Sequence, residues 1–353
     1  MLSPALRGAF MYSFASDYLE GCHPSILKKL AETNEAQTPG YGLDPFCEQA
    51  AGDIRRVFSC PEADVHFLVG GTQANATVIS SILRPYEGAL CADTGHINVH
   101  ETGAVEATGH KVLALPSREG RITAAQVREA VALQADDEHV VKPGMVYISQ
   151  STELGTIYSL QQLKELYEAC RECGLWLYVD GARLGYALCA ARGDMEPSAL
   201  AQYADVFTVG GTKQGALFGE AVVICNPALK PRFRYMMKRA GAMLAKGRLL
   251  GIQFSELMRD HLYFTLARHA VDQASRIRAA LLSRQIPLLA DTPTNQLFPI
   301  FTDAQLKTLE RDFAFSVWER VDETHTAVRF CTSWCTSPAA VDALIAAIEK
   351  LEG

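Results

Sequence analysis

The chain has 353 residues, enough for two or three domains at roughly 150 residues each. Lys and Arg total 33 against 40 Asp and Glu, a net charge of −7; this argues against a nucleic-acid surface, because a phosphate backbone selects clustered cations. An apolar content of 48% excludes a mostly disordered chain, and no stretch approaches the ~18 consecutive apolar residues of a membrane-spanning helix.

The first 45 residues have weak periodicity and read as an irregular arm. Arg7 precedes a short apolar run, Ala9 to Ala15, but Asp17 and Glu20 follow it closely, which gives little support for a secretion signal. A helix is expected over Pro45–Phe58, then a strand over Val65–Val69 running into Gly70-Gly71-Thr72 and a helix from Gln73 to about Leu83. Further strands are expected at Ala89–Ala92, Lys111–Leu115, Val146–Ser149, Trp176–Val179, Val206–Val209 and Ala221–Cys225. Helical patterns over Ala124–Leu133, Ser159–Cys173 and Pro197–Tyr203 separate several of them. Strand, helix, strand in succession implies crossovers and a mostly parallel sheet. Gly174 stands where a helix ending at Cys173 needs a left-handed cap. Beyond residue 230 long helices are expected, Arg232 to Lys246 and Leu249 to Ser283, then strands Gln296–Phe301 and Ala327–Thr332 and a last helix, Pro338–Leu351. We take residues 1–45 as the arm, 46–250 as a large α/β domain and 251–353 as a small C-terminal α+β domain.

The ten cysteines are scattered along the chain. Cys170 and Cys173 have redox or half-zinc spacing, but Cys331 and Cys335 do not complete a common four-thiolate site. Free, mostly core-packing thiols in a cytoplasmic setting, with no metal, fit better than a disulfide scaffold.

Three strand ends carry chemistry. Gly70-Gly71-Thr72-Gln73 joins a strand to a helix whose free N–H groups suit an anion. It matches neither the dinucleotide nor the phosphate-loop fingerprint and, alone, is equally a tight turn. Trp176–Val179 ends in Asp180-Gly181-Ala182-Arg183, at the strand edge where open α/β sheets bind ligands; alone, Asp180 and Arg183 are equally a structural pair. Val206–Val209 ends in Gly210-Gly211-Thr212-Lys213, a lysine held by a short turn and suited to bonding an aldehyde; alone it is equally a surface lysine. Together they supply an anion cradle, an anionic partner for a pyridine nitrogen and an amine, the parts a pyridoxal 5'-phosphate site requires.

In that order the motifs resemble fold type I of the pyridoxal-phosphate enzymes, with a mostly parallel seven-stranded sheet in the large domain. The likeness sharpens to the threonine aldolase family. It rests on Ser16-Asp17, Tyr41-Gly42 with Asp44-Pro45, Gly71-Thr72-Gln73-Ala74-Asn75, His96 with Glu101 and Gly103, Val179-Asp180-Gly181-Ala182-Arg183 and Thr212-Lys213-Gln214-Gly215, and covers nearly the whole chain. The resemblance implies that Lys213 bonds the cofactor aldehyde, Asp180 pairs with the pyridine nitrogen and His96 stacks on the ring. It implies that Gly71, Thr72, Gln73 and Thr212 hold the phosphate. Arg183, which also borders the cofactor, would grip the substrate carboxylate with Ser16 and Arg329.

Two stretches depart from the family pattern. Gln150-Ser151-Thr152-Glu153 places Glu153 where the family has a histidine near the substrate's β-hydroxyl; a carboxylate there is suited either to acid–base work or to ordering its surroundings. Gly241–Arg248 is an altered glycine-rich segment, in which Lys246 or Arg248 would reach a phosphate, across a subunit boundary in the family's dimers or tetramers. The implied reaction is cleavage of L-threonine, L-allo-threonine or related β-hydroxy-α-amino acids to glycine and an aldehyde. A β-eliminating lyase, an aminotransferase or a non-catalytic member of the fold are the alternatives.

Overall fold

Strand ends carry the expected chemistry, so the order of the strands decides which of these groups meet. The computed structural model describes residues 12–134, 137–190 and 192–352; Arg7 and the start of the apolar run after it lie outside them. The chain opens with a two-residue strand, β1 (Tyr12–Ser13), and helices α1 (Pro24–Glu32) and α2 (Pro45–Val57). The large sheet and its crossovers follow: β2 (Asp64–Leu68), α3 (Gly71–Ile82), β3 (Glu87–Ala92), α4 (His96–Val99), β4 (Val112–Leu115), α5 (Ala124–Leu133), β5 (Lys142–Ser149), α6 (Leu160–Cys173), β6 (Trp176–Asp180), α7 (Leu184–Leu188), α8 (Ser198–Tyr203), β7 (Val206–Gly210) and β8 (Glu220–Ile224). Then come α9 (Phe233–Arg239), α10 (Arg248–Met258), α11 (Leu262–Ser283), β9 (Gln296–Leu297), β10 (Ile300–Thr302), α12 (Asp303–Leu309), β11 (Phe313–Ala314), β12 (Ser316–Arg320), β13 (His325–Cys331) and α13 (Pro338–Glu349).

The seven expected strands form one sheet in the order β2-β8-β7-β6-β5-β3-β4. The pairs from β7 through β6, β5 and β3 to β4 are parallel, and β8 runs antiparallel to both its neighbours. Apolar layers cover both faces: Val146 and Ile148 of β5 point to one, Met145 and Tyr147 to the other. That double burial is why these strands read as continuous apolar runs. The local signals act as expected. Asp44 caps α2, Ser159 and Gln162 form a reciprocal cap on α6, and Gly174 ends α6 at φ +67°.

The irregular arm is more ordered than expected. Pro24 opens α1, and β1 pairs in parallel with β11, which lies 300 residues further along the chain. A two-residue strand and a helix with a single buried side chain, Ile26, leave little periodicity to detect. The two long helices after residue 230 are also shorter than expected. The first ends at Arg239, and Gly241 (φ +66°) turns the chain away. The second is split where Asp260 (φ +49°) and His261 (φ +58°) leave helical space. Pro299, which has no N–H for the ladder, divides the strand expected over Gln296–Phe301 into β9 and β10. Helix α11 spans two cores: Tyr263 and Leu266 pack beneath the large sheet, while Ala274, Ile277 and Leu281 pack with β9–β13 and α13. Among the described residues no helix is long and apolar enough to cross a membrane.

Gly181 shows how tightly the edge beyond β6 is built. It follows Asp180 where β6 passes β7, and a β-carbon there would overlap the Thr208 carbonyl. Its N–H donates to Thr208 Oγ1 at 2.7 Å. Gly181→Ala is therefore expected to cost about 3 kcal/mol or more, read as a fall in the thermal unfolding midpoint followed by circular dichroism.

Candidate active site

Asp180 ends β6, 5% exposed, and three donors hold its carboxylate. Tyr147 OH, from β5, reaches Oδ2 at 2.6 Å, Asn75 Nδ2, from α3, reaches the same oxygen at 2.9 Å, and the Ala182 N–H reaches Oδ1 at 2.9 Å. Asn75 Nδ2 also donates to Glu101 Oε1 at 2.7 Å, and Tyr178 OH donates to Asn75 Oδ1 at 2.6 Å. One amide thus ties two buried acids together. Glu101 Oε1 in turn accepts from His96 Nδ1 at 2.7 Å. Burial works against charge on the His96 ring, but Glu101, with Asp180 and Glu153 nearby, holds its pKa above the usual histidine range.

Asp180, Ala182 and His96 of this network border a cavity of about 310 Å³. Gly71, Thr72, His96, Glu153, Asp180, Arg183 and Lys213 all line it, so seven of the expected residues converge. At the start of α3, a β-carbon on Gly70 or Gly71 would meet no protein atom within 4 Å. The glycines therefore leave open space in front of the helix N-terminus, where unpaired N–H groups favour an anion. Ser151 also borders the cavity, and its buried hydroxyl has no protein partner. Lys213 sits in a fixed turn: the Gly219 carbonyl accepts from Gly211 and Thr212, and Tyr186 OH donates to the Lys213 carbonyl. The backbone is pinned, and Lys213 lines the cavity with its Nζ 5.8 Å from the centre of the Tyr18 ring. An anion cradle, a buried carboxylate, an imidazole and an amine on one cavity fit pyridoxal phosphate.

Two side chains for which the resemblance implies phosphate contacts have partners within the protein. Thr212 Oγ1 accepts from the Gly219 N–H at 3.1 Å, inside its own turn. Gln73 turns away from the cavity, accepting from the Val69 N–H and donating to the Ala240 carbonyl, each at 3.4 Å. Arg248 donates to the Ala36 and Thr33 carbonyls and lies over the Phe46 ring; it anchors the arm. Lys246 is exposed.

A wider mouth of about 460 Å³ adjoins the cavity and is bordered by Tyr18, His100, Trp318 and Arg329 as well as His96, Glu153, Arg183 and Lys213. Arg329 lies over the Trp318 ring at 5.6 Å, and its buried Nε has no protein partner. Ser16 is buried with an unpartnered hydroxyl. Arg183 is already engaged: Asp17 accepts from its Nε at 2.7 Å and its Nη2 at 2.9 Å.

Glu153 is 8% exposed. Its Oε1 accepts from Ser149 Oγ at 2.6 Å and from the His96 N–H at 3.0 Å. Burial pushes its pKa up; Ser149, a backbone N–H and His96 offset part of the rise, and Asp180 adds to it. Sequence reasoning gave no role to Tyr147, Ser149 or His100. Tyr147 and Ser149 share one face of β5, two residues apart, and Ser149 is in register with Asp180; His100 lies four residues beyond His96. Both spacings are visible in the sequence once the strand ends are known.

Residues 13–304 match the family of beta-eliminating lyases. The chain is 34% identical over 348 residues to a low specificity L-threonine aldolase of Pseudomonas sp. (strain NCIMB 10558), covering 96% of this chain and 97% of the relative. It is 32% identical to the protein of the same name in Pseudomonas aeruginosa, covering 92% and 93%. The solved structure of Leishmania major threonine aldolase superposes with a TM-score of 0.94 at 42% identity, covering 96% of this chain and 99% of that one.

The Glu101–His96 contact makes its own prediction. Glu101→Gln removes a charge that raises the His96 pKa, so that pKa should fall. Proton NMR titration of the imidazole, compared with the parent, reads it.

Proposed function

The chain belongs to the beta-eliminating lyase family, in its threonine aldolase branch, and we propose that it cleaves L-threonine, L-allo-threonine or related β-hydroxy-α-amino acids to glycine and an aldehyde by retro-aldol chemistry. The observation that carries this reading is the convergence of Lys213, Asp180, His96 and Glu153 on one cavity, with Arg329 at its mouth. The two Pseudomonas relatives are named for L-threonine, which supports that substrate.

Pyridoxal 5'-phosphate, the cofactor of the family, supplies the electron sink that stabilises charge at Cα when the Cα–Cβ bond breaks. The N–H groups of Gly71 and Thr72, with the Thr72 and Ser151 hydroxyls, would hold its phosphate. Asp180 would keep the pyridine nitrogen protonated, His96 would lie against the ring, and Lys213 would supply the amine. Arg329 and Arg183, with Ser16, would fix the substrate carboxylate and so set which bond at Cα stands across the ring.

Glu153 would accept the β-hydroxyl proton. Both of its bonds fall on Oε1, so Oε2 is the oxygen left for substrate. Burial raises its pKa above the usual carboxylate range, which strengthens the ionised form as a base. The sign follows directly. The ionised form is active, so activity should fall as pH drops through a limb above the usual carboxylate range. We further propose a cytoplasmic homodimer or homotetramer with sites at subunit boundaries. The exposed Tyr41 and Leu43 on the arm support that assembly. Because Arg248 is bound to Thr33 and Ala36, Lys246 is the cation of its segment suited to reach a neighbouring copy.

Product analysis tests the reaction. Incubation with threonine should yield glycine and acetaldehyde in equal amounts. A keto acid with ammonia would indicate β-elimination, and a keto acid with cofactor left in its amine form would indicate transamination. Glu153→Gln should lower kcat by about a hundredfold or more and remove the acidic limb of the pH profile, while glycine still binds. Unchanged turnover and an unchanged profile would remove Glu153 from the reaction.

A further inference from the structure

One short piece of the arm holds both arginines of the carboxylate subsite. The Ala15 carbonyl accepts from Arg329 Nη2 at 3.1 Å, and Asp17 holds Arg183 through two bonds. Between them lies Ser16, buried, with its hydroxyl unpartnered. The piece is itself fixed to the small sheet. The Phe14 N–H donates to the Ala314 carbonyl at 2.7 Å, the Cys331 N–H donates to the Phe14 carbonyl at 2.7 Å, and Ser316 Oγ donates to the Ala15 carbonyl at 2.8 Å. Asp17 has a third partner, Asn295 Nδ2 at 2.9 Å, and that same nitrogen donates to the Thr332 carbonyl.

We propose that Asp17 is a positioning residue for the substrate carboxylate, fixing Arg183 in angle and balancing its charge so that only one net positive charge, that of Arg329, faces one carboxylate. Asp17 is fully buried. Burial opposes its ionisation, but Arg183, Lys213 and Asn295 outweigh this and hold its pKa below the usual carboxylate range. With Nε and Nη2 occupied, Arg183 has Nη1 left as a directional donor. Two unbalanced arginines would bind a carboxylate more tightly but in more than one orientation, and the bond to be broken depends on orientation. Through Asn295 the aim of Arg183, on the large sheet, is tied to the small sheet that carries Arg329.

The inference rests on the aldolase reading, and glycine binding separates the two. A holoenzyme that binds glycine but cleaves no β-hydroxy amino acid would contradict that reading and leave the binding arm of this test intact. The variants are Asp17→Asn, Arg183→Ala and the pair together, in full-length holoenzyme. Turnover is expressed per bound cofactor, and glycine binding is followed by the change in the cofactor's visible absorbance. Asp17→Asn is expected to lower kcat/KM by about 30-fold, mostly in kcat. The double variant should be no worse than Arg183→Ala within about threefold, because both changes act on one guanidinium. Asp17→Glu, which restores the charge, should recover part of the loss. Losses that multiply in the double variant, or an Asp17→Asn protein with parental kcat/KM and glycine Kd, would overturn the proposal. Should Asp17→Asn not fold, Asn295→Ala carries the test by removing one of the three bonds. A glycine Kd lowered about threefold supports the proposal, and an unchanged Kd overturns it.

Discussion

A single amide nitrogen, Asn75 Nδ2, stands between two buried acids, Asp180 at 2.9 Å and Glu101 at 2.7 Å. Carboxylates taken out of water are costly unless donors replace the water. Here the replacements come from four separate elements: Asn75 of α3, Tyr147 of β5, the Ala182 N–H beyond β6, and His96 of α4. Each donor is delivered by a strand end or helix start, so the parallel order of the sheet is a condition for solvating Asp180 and Glu101 internally. The same network places Asp180 at the floor of the cavity and turns His96 toward it. Fold and chemistry thus share one requirement.

Charge is balanced locally in a chain whose net charge is −7. Three cations, Arg183, Lys213 and Arg329, meet at the cavity and its mouth. Asp17 offsets Arg183, while Asp180, Glu101 and Glu153 surround His96. With Arg183 offset by Asp17, Lys213 and Arg329 carry the positive charge left at the mouth. The cysteines stand apart from this chemistry. All ten are free, and most, Cys170 among them, are buried as small packing groups.

Much of this was legible in the sequence because the signals were local. The seven strands of the large sheet are apolar runs, three of them running into the Gly70-Gly71, Asp180-Gly181 and Gly210-Gly211 turns, and their ends were read within a few residues. Asp180, Lys213, His96 and Glu153 each sit beside a motif, and all reach the cavity. What was not legible depends on long-range pairing. β1 is two residues long and has meaning only against β11. The shared role of Ala15 and Asp17 appears once β1 brings the arm between Arg183 and Arg329. The resemblance implies a phosphate role for Gln73 and Thr212, and in the structure their side chains also bond to Ala240 and Gly219. A motif fixes which residues are near a site, whereas competing partners decide which side chains face it. The helix breaks at Gly241 and Asp260 are of the same kind, since a helical periodicity persists through a turn that only backbone angles reveal.

The central claim is that Lys213 is the amine around which the site is built. Borohydride reduction of the protein loaded with pyridoxal 5'-phosphate, followed by proteolysis and peptide mass spectrometry, tests it most directly. The account predicts the reduced cofactor on the peptide containing Lys213, and on no other lysine. A label on a different lysine, or a protein that takes up the cofactor with no covalent label at all, would contradict it.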